Sequence, residues 1–426
     1  MALPVNKSLM TKGQHSIAAV ILTIGDELLI GQTIDTNSAW MATVLNQAGI
    51  PVKRRVAVGD DWNAIWEALT AEGKAADIVL ITGGLGPTSD DITKPLLCDF
   101  FGGKMVTDQA ALDNVIDIFT KKINRPLLER NLKQAEVPDN CKVIQNKRGT
   151  APGMWFEKDG TIFVSMPGVP HEMKGMMAED VIPTLVNRFQ LSPVQHRTLL
   201  TAGIGESFLA ELLLEFEAAL PKDYKLAYLP NYGMVRLRLT GLDGTKDPSA
   251  IDALFEELKA LVKDHLVVDE DLTLQETIAK VLLEKKKTLA IAESCTGGYI
   301  SHLITMLPGS SAYYLGGVVS YSNEMKIDVL GVDPDTIAQF GSVSVETATQ
   351  MAEGIRKQTG ADYCLATSGI MGPTGGTPEK HVGFVCVAFC SSERTSTTTF
   401  QFRFDRKRNI ELTAAHALDF LRKNMG

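Results

Sequence analysis

Short apolar runs that stop abruptly at glycine-rich turns are the feature that most constrains the fold of this chain. Residues 18–24 read Ala-Ala-Val-Ile-Leu-Thr-Ile before Gly-Asp-Glu, and residues 77–82 read Asp-Ile-Val-Leu-Ile-Thr before Gly-Gly. Runs of this kind are typical of strands buried on both faces. Helical patterns, such as the one over residues 36–48, alternate with them. The alternation predicts parallel sheets covered by helices, with ligands bound beyond the carboxyl ends of the strands.

The length of the chain predicts more than one domain. At 426 residues it exceeds the size at which a single hydrophobic core keeps growing. The pattern changes near residue 190 to short strands and helices without glycine-rich loops or clustered acids, which indicates a small α+β packing unit. We therefore predict three domains, over residues 17–190, 191–270 and 271–426.

Composition and cysteine usage narrow the function class. A net charge of −9 argues against a general nucleic-acid-binding surface. The six cysteines show no metal-ligand spacing, and Cys364, Cys386 and Cys390 fall within apolar runs that predict small buried core residues. The polar residues 1–16 lack the apolar core of a signal peptide, and no run of 18 apolar residues is present. These features predict a cytoplasmic protein without a membrane span.

A stretch near the start of the third domain joins a buried strand to a helix through a turn of small residues. Residues 290–298 read Ala-Ile-Ala-Glu-Ser-Cys-Thr-Gly-Gly, and a helical pattern follows. A serine here lies beside free backbone N–H groups, where an acyl-transfer nucleophile can act. The alternative is that Ser294 only caps the helix, since serine is a preferred N-cap residue. These nine residues alone favour the cap.

A second stretch with candidate functional residues is 83–91, which reads Gly-Gly-Leu-Gly-Pro-Thr-Ser-Asp-Asp. Its glycines allow close backbone approach to a phosphate, and the helix predicted to begin near Asp91 would point N–H groups at the same place. Asp90 and Asp91 are hard oxygen donors suited to a divalent cation. The stretch is neither a P-loop nor a dinucleotide fingerprint. The residues leave open whether the two aspartates bind metal or only cap the helix.

Two further loops follow strands of the first domain. Residues 146–153 carry two cations, and residues 167–172 form a proline-rich turn. Both are predicted to converge on residues 83–91. Arg148 is the favoured phosphate ligand because its guanidinium binds oxyanions in a bidentate way.

Several motifs in the second half share their order and spacing with one known family. Ala-Glu-Ser-Cys-Thr-Gly-Gly at 292–298, Val-Ser-Tyr-Ser-Asn-Glu-Met-Lys at 319–326, Ser-Gly-Ile-Met-Gly-Pro-Thr-Gly-Gly at 368–376 and Asp405-Arg406 resemble the nicotinamide-nucleotide amidase domain. The resemblance covers residues 272–426.

The first half resembles the molybdopterin-binding-like domain of the CinA family. The matching motifs are Gly-Asp-Glu-Leu-Leu at 25–29, Asp-Thr-Asn at 35–37, the stretch 83–91 and Gly-Thr-Ala-Pro-Gly at 149–153. The resemblance implies an N-terminal α/β three-layer domain, a small α+β KH-like linker domain and a C-terminal α/β amidase domain. It also implies a homodimer or larger assembly.

For the C-terminal domain, the resemblance implies hydrolysis of nicotinamide mononucleotide to nicotinate mononucleotide and ammonia without a metal. Ser294 would be the nucleophile, Lys326 its base when neutral, and Tyr321 a proton relay or leaving-group orienter. N–H groups near Thr296 to Gly298 would stabilise the oxyanion. The expected substrate-binding residues of this domain are Thr296, Gly297, Gly298, Gly369, Gly372, Gly375, Gly376 and Arg406.

For the N-terminal domain, the resemblance implies cleavage of ADP-ribose to AMP and ribose 5-phosphate with Mg²⁺ or Co²⁺ bound by Asp90 and Asp91. The expected substrate-binding residues of this domain are Asn37, Gly83, Gly84, Gly86, Thr88 and Arg148. Residues 166–171 depart from the family pattern, with valine and histidine where prolines are common, so the substrate-facing turn is expected to differ. The alternative is a pterin- or nucleotide-binding scaffold for a DNA-recombination or competence partner.

Overall fold

The structure is a computed structural model that describes residues 17–88, 91–123, 126–242 and 247–425. These residues form two compact units. One comprises the described residues up to 195, and the other comprises those from 196 onward.

The first unit is built on a six-stranded sheet in the order β2-β1-β3-β8-β7-β6, beside a two-stranded sheet of β4 and β5. Strands β1, β2, β3 and β8 run parallel, and β7 and β6 pair antiparallel at one edge. The strands are β1 Ala19–Ile24, β2 Val52–Val58, β3 Ile78–Thr82, β4 Met105–Thr107, β5 Glu136–Pro138, β6 Lys142–Ile144, β7 Gly153–Lys158 and β8 Thr161–Met166. The helices are α1 Asp26–Leu29, α2 Thr36–Gln47, α3 Trp62–Ala75, α4 Thr93–Phe101, α5 Gln109–Asp117, α6 Glu129–Leu132, α7 Pro170–Met176 and α8 Ile182–Phe189.

Alternating side chains of β3 show why this sheet is covered on both faces. Ile78 and Leu80 pack in a core with residues of α2, α7 and α8, whereas Val79 and Ile81 pack in a second core with residues of α3 and α4. Every residue of β3 is buried because successive side chains point to opposite faces. The predicted three-layer α/β arrangement of the first domain is therefore confirmed.

The second unit begins with the small α+β part. Its sheet has the order β10-β11-β9-β12, with β10 antiparallel to β11 and β12 antiparallel to β9. The elements are β9 Gln195–Ala202, α9 Glu206–Leu212, α10 Leu214–Ala219, β10 Tyr224–Asn231, β11 Met234–Gly241, α11 Pro248–Leu261 and β12 Leu266–Val268. The pattern predicts one helix over 206–219, but the helix is interrupted at Leu213, whose backbone leaves the helical region.

The rest of the second unit is a five-stranded sheet in the order β14-β13-β15-β16-β17. Strand β13 lies between β14 and β15 and is parallel to both. The strands are β13 Leu289–Glu293, β14 Tyr314–Val319, β15 Tyr363–Gly369, β16 Phe384–Ser391 and β17 Thr395–Gln401. The helices are α12 Leu274–Lys285, α13 Tyr299–Thr305, α14 Asn323–Asp328, α15 Pro334–Phe340, α16 Val345–Thr359 and α17 Arg406–Asn424.

Two cores again lie on opposite faces of this sheet. Ile291 of β13 packs with residues of α12, α13 and α17. Its neighbours Ala290 and Ala292 point to the other face and pack with residues of α16. Cys364, Cys386 and Cys390 belong to the second core, which confirms their predicted role as small buried residues. Among the described residues, no helix combines the length and apolar character that crossing a membrane requires.

Candidate active sites

Ser294 lies immediately after β13, at the carboxyl end of that buried strand. Its backbone N–H donates to the Thr367 carbonyl at 3.0 Å, which continues the pairing with β15 for one more residue. The residue is only 8% exposed, and it lines a cavity of about 150 Å³ together with Lys326 and Tyr321. The sheet thus positions the serine at the strand end where parallel folds bind ligands.

The N-terminus of α13 is capped by Glu293 rather than by Ser294. The Glu293 side chain has no exposed surface, and its carboxylate accepts from the N–H groups of Gly298 at 3.0 Å, Ile300 at 3.1 Å and Ser301 at 2.8 Å. The Ser301 hydroxyl donates to the same carboxylate at 2.6 Å and accepts from the Tyr314 hydroxyl at 2.7 Å. A carboxylate at a helix N-terminus also interacts favourably with the helix dipole.

Because Gly298 occupies the N-cap position and the Glu293 carboxylate accepts from the N–H groups at this helix end, the alternative in which Ser294 serves only as a helix cap is wrong. Ser294 instead lines the cavity. The sequence motifs do not identify Glu293 as a capping residue. Its signal is an acid placed between a fully buried strand and a Ser-x-Thr-Gly-Gly turn, where an unpaired charge would be costly.

The structure corrects the predicted oxyanion donors. The Gly298 N–H is bonded to Glu293, and the Gly297 N–H donates to the Ser294 carbonyl at 3.2 Å, so neither glycine has a free amide for a ligand. Within the described residues, the amides of Cys295 and Thr296 have no hydrogen-bond acceptor. Cys295, directly after the serine, lines the cavity, so its N–H is the one placed for an oxyanion, whereas Thr296 does not belong to the cavity lining.

Lys326 lines the same cavity from α14, the helix that follows the neighbouring strand β14. The Ser320 N–H donates to the Glu293 carbonyl at 2.8 Å, which holds the end of β14 beside the end of β13. The Lys326 amine donates to three backbone carbonyls of the segment between β14 and α14. The distances are 3.0 Å to Ser320, 3.5 Å to Tyr321 and 3.4 Å to Ser322. Lys326 is 2% exposed, and burial lowers its pKa. A buried lysine of this kind is more readily neutral than an exposed one.

Tyr321 and Arg406 are joined at the mouth of the cavity. The Arg406 guanidinium donates to the Tyr321 hydroxyl at 2.7 Å and to the Gly372 carbonyl at 2.8 Å. The guanidinium thereby connects the β14 turn, the glycine-rich loop and the start of α17. The Tyr321 hydroxyl accepts this bond and keeps its own proton available for donation.

The glycine-rich loop after β15 contributes only in part to the cavity wall. Gly369 lines the cavity, and Gly372 contributes its carbonyl to Arg406. Gly375 and Gly376 do not belong to the cavity lining. The structure therefore brings together Ser294, Lys326, Tyr321, Gly369 and Arg406, but not the last two glycines.

The start of α17 carries an unusual concentration of positive charge. The helix begins with Arg406, Lys407 and Arg408, and the Asp405 carboxylate caps it by accepting from the Arg408 N–H at 3.0 Å. Cations in a first turn are unfavourable with the helix dipole, whereas an anion bound there is favoured. This end of the helix is therefore suited to an anionic ligand.

Cys295 is the strongest competitor for the role of nucleophile, because it lies beside Ser294 and lines the same cavity. Burial raises the pKa of its thiol to about 12. The thiolate is the reactive form of cysteine, so this thiol is almost entirely unreactive at neutral pH.

The first unit contains a larger cavity, of about 630 Å³, beyond the carboxyl ends of its parallel strands. It is lined by five of the predicted residues, namely Asn37, Gly83, Gly84, Gly86 and Asp91. The cavity wall also includes Phe119, a residue that the sequence motifs do not identify. Phe119 lies on the π-helical segment Ile118–Ile123. Such π-helical segments occur frequently at functional sites.

Two of the loop glycines are required by close packing of the backbone. A β-carbon at Gly83, which has φ of 115°, would lie 2.1 Å from the Ile24 carbonyl oxygen. A β-carbon at Gly84 would lie 2.1 Å from the Thr93 hydroxyl. The loop therefore needs glycine to fold, in addition to any close approach to a phosphate.

The Asp91 side chain stabilises the glycine-rich loop by hydrogen bonds to loop residues. Its carboxylate accepts from the N–H groups of Gly86 at 2.8 Å and Thr88 at 2.9 Å, and from the Thr88 hydroxyl. Helix α4 begins two residues later without a side-chain cap, so the helix-cap alternative for Asp91 is wrong. Asp90 lies outside the described residues.

The described residues do not by themselves fit a metal centre. Among them, no group of three or more histidine, cysteine, aspartate or glutamate side chains is arranged to hold a metal ion, and both Asp91 oxygens already accept hydrogen bonds. The predicted divalent cation therefore rests on the family resemblance.

Arg148 and Thr88 do not belong to the cavity lining. The Arg148 guanidinium pairs with Glu179 at 2.8 Å and donates to the His171 carbonyl at 3.2 Å. The structure thus does not bring Arg148 to the predicted phosphate site, because an acid outside the motif engages its guanidinium. Thr88 acts on the loop through Asp91.

We expect Glu293→Gln to destabilise the second unit by roughly 3 kcal/mol, because the amide nitrogen replaces an oxygen that accepts two buried hydrogen bonds. Urea denaturation monitored by circular dichroism measures the change. The matched control is Glu346→Gln, an exposed acid in the first turn of α16, for which we expect a much smaller effect. Unfolding of Glu293→Gln at the wild-type urea concentration would contradict the capping role.

The amino-acid sequence matches three known protein-domain families and full-length relatives. The profile described as "CinA C-terminal domain" matches residues 271–425, "Probable molybdopterin binding domain" matches residues 20–187, and "Damage-inducible protein CinA KH domain" matches residues 196–267. A CinA-like protein of Cytophaga hutchinsonii is 41% identical over 411 residues, which cover 96% of this chain and 98% of that protein. The chain belongs to the CinA family. A putative competence-damage inducible protein of Acetivibrio thermocellus is 40% identical over 407 residues, 95% of this chain and 98% of the relative.

Solved structures of CinA proteins match parts of the chain. The competence/damage inducible protein CihA of Agrobacterium tumefaciens is 35% identical, covers 36% of this chain and 94% of its own, and has a TM-score of 0.36. The CinA protein of Thermoplasma acidophilum is 32% identical, covers 41% of this chain and 99% of its own, and has a TM-score of 0.36. As a CinA-family protein, the chain carries the molybdopterin-binding-like, KH and C-terminal domains of that family.

Proposed function

We propose that this CinA-family protein is a bifunctional hydrolase of pyridine-nucleotide recycling. Its C-terminal domain would hydrolyse nicotinamide mononucleotide to nicotinate mononucleotide and ammonia, and its N-terminal domain would cleave ADP-ribose to AMP and ribose 5-phosphate. The observation that carries the amidase is the shared cavity of Ser294 and buried Lys326 at the ends of two neighbouring strands.

In the first half-reaction, the Ser294 hydroxyl oxygen attacks the carboxamide carbon. Neutral Lys326 accepts the hydroxyl proton, and the lowered pKa of its amine favours this starting state. The N–H group of Cys295 donates to the oxyanion of the tetrahedral intermediate. Protonated Lys326 then returns its proton to the departing nitrogen, which leaves as ammonia while a serine ester remains.

In the second half-reaction, water attacks the ester carbon and Lys326 accepts a proton from that water. The bond to the Ser294 oxygen breaks, the serine recovers its proton, and nicotinate mononucleotide is released. Tyr321, oriented by Arg406, is positioned at the cavity mouth to donate a hydrogen bond to the leaving nitrogen. Protein groups supply every proton transfer in this sequence.

The size of the cavity and the charge around it support a nucleotide substrate. A volume of about 150 Å³ is below the usual range for a pocket that encloses a whole ligand, so it suits the pyridine carboxamide end. The nucleotide phosphate would then lie outside, near exposed Arg406 and the basic start of α17.

We expect Arg406→Ala to lower kcat/KM for nicotinamide mononucleotide by about 10- to 100-fold, because a charge-assisted hydrogen bond to phosphate contributes roughly 1.5–3 kcal/mol. Nicotinamide riboside, which lacks the phosphate, should lose much less activity, because only the orientation of Tyr321 by Arg406 is then removed. Steady-state ammonia release measures both. Arg422→Ala, which removes a charge at the other end of α17, is the matched control. An equal loss on both substrates would show that Arg406 acts through Tyr321 and not on phosphate.

The N-terminal proposal is supported by the larger cavity and the loop that lines it. A volume of about 630 Å³ is large enough for a dinucleotide-like ligand, and Gly83, Gly84 and Gly86 expose backbone at one wall. Because the described residues do not form a metal cluster, we propose the dependence on Mg²⁺ or Co²⁺ from the family resemblance alone.

One assay tests both activities against the scaffold alternative. The purified chain is given nicotinamide mononucleotide and ADP-ribose separately, with Mg²⁺, with Co²⁺ and with a chelator, and products are followed by mass spectrometry. We expect ammonia release under all conditions and ADP-ribose cleavage only with a divalent cation. Tight binding of both compounds without turnover would favour the scaffold and contradict the proposal.

A further inference from the structure

Asn37 lines the larger cavity and carries an unusual polar group. It is the second residue of α2, and the cavity lining also includes Gly83, Gly84 and Gly86 of the glycine-rich loop. The Oδ1 atom is buried and has no hydrogen-bond partner among the described residues. A buried acceptor without a partner costs roughly 1–3 kcal/mol, and native proteins retain few of them.

The orientation of this amide is fixed by its other half. The Asn37 Nδ2 atom donates to the Gly168 carbonyl at 2.7 Å, a residue just beyond β8. A carbonyl oxygen can only accept, so the nitrogen must face Gly168 and the oxygen must face away from it. The Asp35 carboxylate already accepts from the N–H and the hydroxyl of Ser38, so these two donors of α2 are engaged. The free acceptor is therefore built into the wall.

The neighbourhood of Asn37 indicates which part of a nucleotide it would meet. A β-carbon at Gly168 would lie 3.5 Å from the Cα of Gly83, the first glycine of the proposed phosphate loop. Asn37 is thus separated from that loop by a single residue. In a nucleotide, the group attached directly to the phosphate is the ribose, whose hydroxyls are hydrogen-bond donors, whereas the base lies further away.

We infer that Asn37 is a specificity-determining residue that accepts a hydrogen bond from a ribose hydroxyl of the nucleotide bound in this cavity. The inference rests on the proposed function of the N-terminal domain and adds a selection rule to it. A site that satisfies a buried acceptor with a ligand hydroxyl rejects the analogue that lacks the hydroxyl, because the acceptor is then left without a partner.

Calorimetric titration of the full chain with AMP, 2′-deoxy-AMP, 3′-deoxy-AMP and IMP tests the inference without turnover. We expect the wild type to bind one of the deoxy analogues roughly tenfold more weakly than AMP, since a hydrogen bond of about 1.4 kcal/mol corresponds to that factor. IMP, which changes only the base, should bind as AMP does. Asn37→Ala should bind AMP roughly tenfold more weakly and should no longer distinguish the deoxy analogues.

The matched control is Asn140→Ala, which removes an amide that also donates to a backbone carbonyl, that of Phe101, but lies outside the cavity lining. It should retain the wild-type preference. If Asn37→Ala fails to fold, as judged by thermal melting, the affinities of the wild type for AMP and its deoxy analogues still test the inference.

Equal affinity of the wild type for AMP and both deoxy analogues would overturn the inference, as would a loss confined to IMP or discrimination that persists in Asn37→Ala. These outcomes leave the pyrophosphatase proposal standing, because AMP binds in all of them. Absence of binding by both AMP and ADP-ribose would instead contradict the proposed function and the inference together.

Discussion

Ser294→Ala is expected to lower ammonia release from nicotinamide mononucleotide by at least ~10⁴-fold, since loss of a catalytic nucleophile has effects of this size or larger in serine hydrolases. The expectation follows from the position of the hydroxyl. Ser294 is buried at the end of β13, and Glu293 relieves it of the capping role. The neighbouring thiol cannot replace it, because burial raises the pKa of Cys295 to about 12.

Two controls separate loss of the nucleophile from general damage. Ser391→Ala removes a hydroxyl at the opposite end of the same sheet and should leave ammonia release unchanged. Asp91→Ala alters only the first unit and should also leave it unchanged, while it disrupts a loop of the larger cavity. Ammonia release that survives Ser294→Ala would remove the serine mechanism.

Lys326→Arg is expected to lower ammonia release by about 10²- to 10⁴-fold, the usual contribution of a general base. Arginine keeps the positive charge and length but does not deprotonate in proteins, so it cannot accept the serine proton. Lys287→Arg, in a lysine paired with Asp362 at 2.8 Å, is the matched control and should be silent. Near-normal activity of Lys326→Arg would show that the amine is not the base.

The pH dependence of the wild type follows from the same group. Burial lowers the pKa of Lys326, and the neutral amine is the reactive form, so kcat/KM should rise with pH and level off above that pKa. Since the pKa is lowered, the rise should fall closer to neutrality than for an exposed lysine. In Lys326→Ala, added methylamine should restore part of the activity, more strongly at higher pH. A pH-independent kcat/KM, or no rescue, would contradict the role of the amine.

The sequence predicts the buried parallel strands well because such strands form continuous apolar runs. The run at 77–82 is observed as Ile78–Thr82, and the helix predicted over 36–48 is observed over Thr36–Gln47. The motif residues Ser294 and Lys326 lie on one cavity, as strand ends in a parallel sheet require. These features depend on local patterns and on the general geometry of the fold.

Other features depend on contacts between distant residues and have no local signal. The pairing of Arg148 with Glu179 joins residues on two separate elements, so a loop cation expected at a phosphate site is engaged elsewhere. Glu293 caps α13 from five residues before the N-cap residue Gly298, whereas the known capping patterns place the side chain at the N-cap or in the first turn. For the same reason, the helix-cap alternatives for Ser294 and Asp91 stay open in the sequence and are excluded by hydrogen bonds in the structure.

The most direct test of the central claim is the fate of nicotinamide mononucleotide given to the wild-type chain in ¹⁸O-labelled water with a chelator present. Product analysis by mass spectrometry distinguishes amide hydrolysis from every other cleavage of the nucleotide. We expect nicotinate mononucleotide with one ¹⁸O in its carboxylate and an equal amount of ammonia. Release of free nicotinamide, or unchanged nucleotide after prolonged incubation, would contradict it.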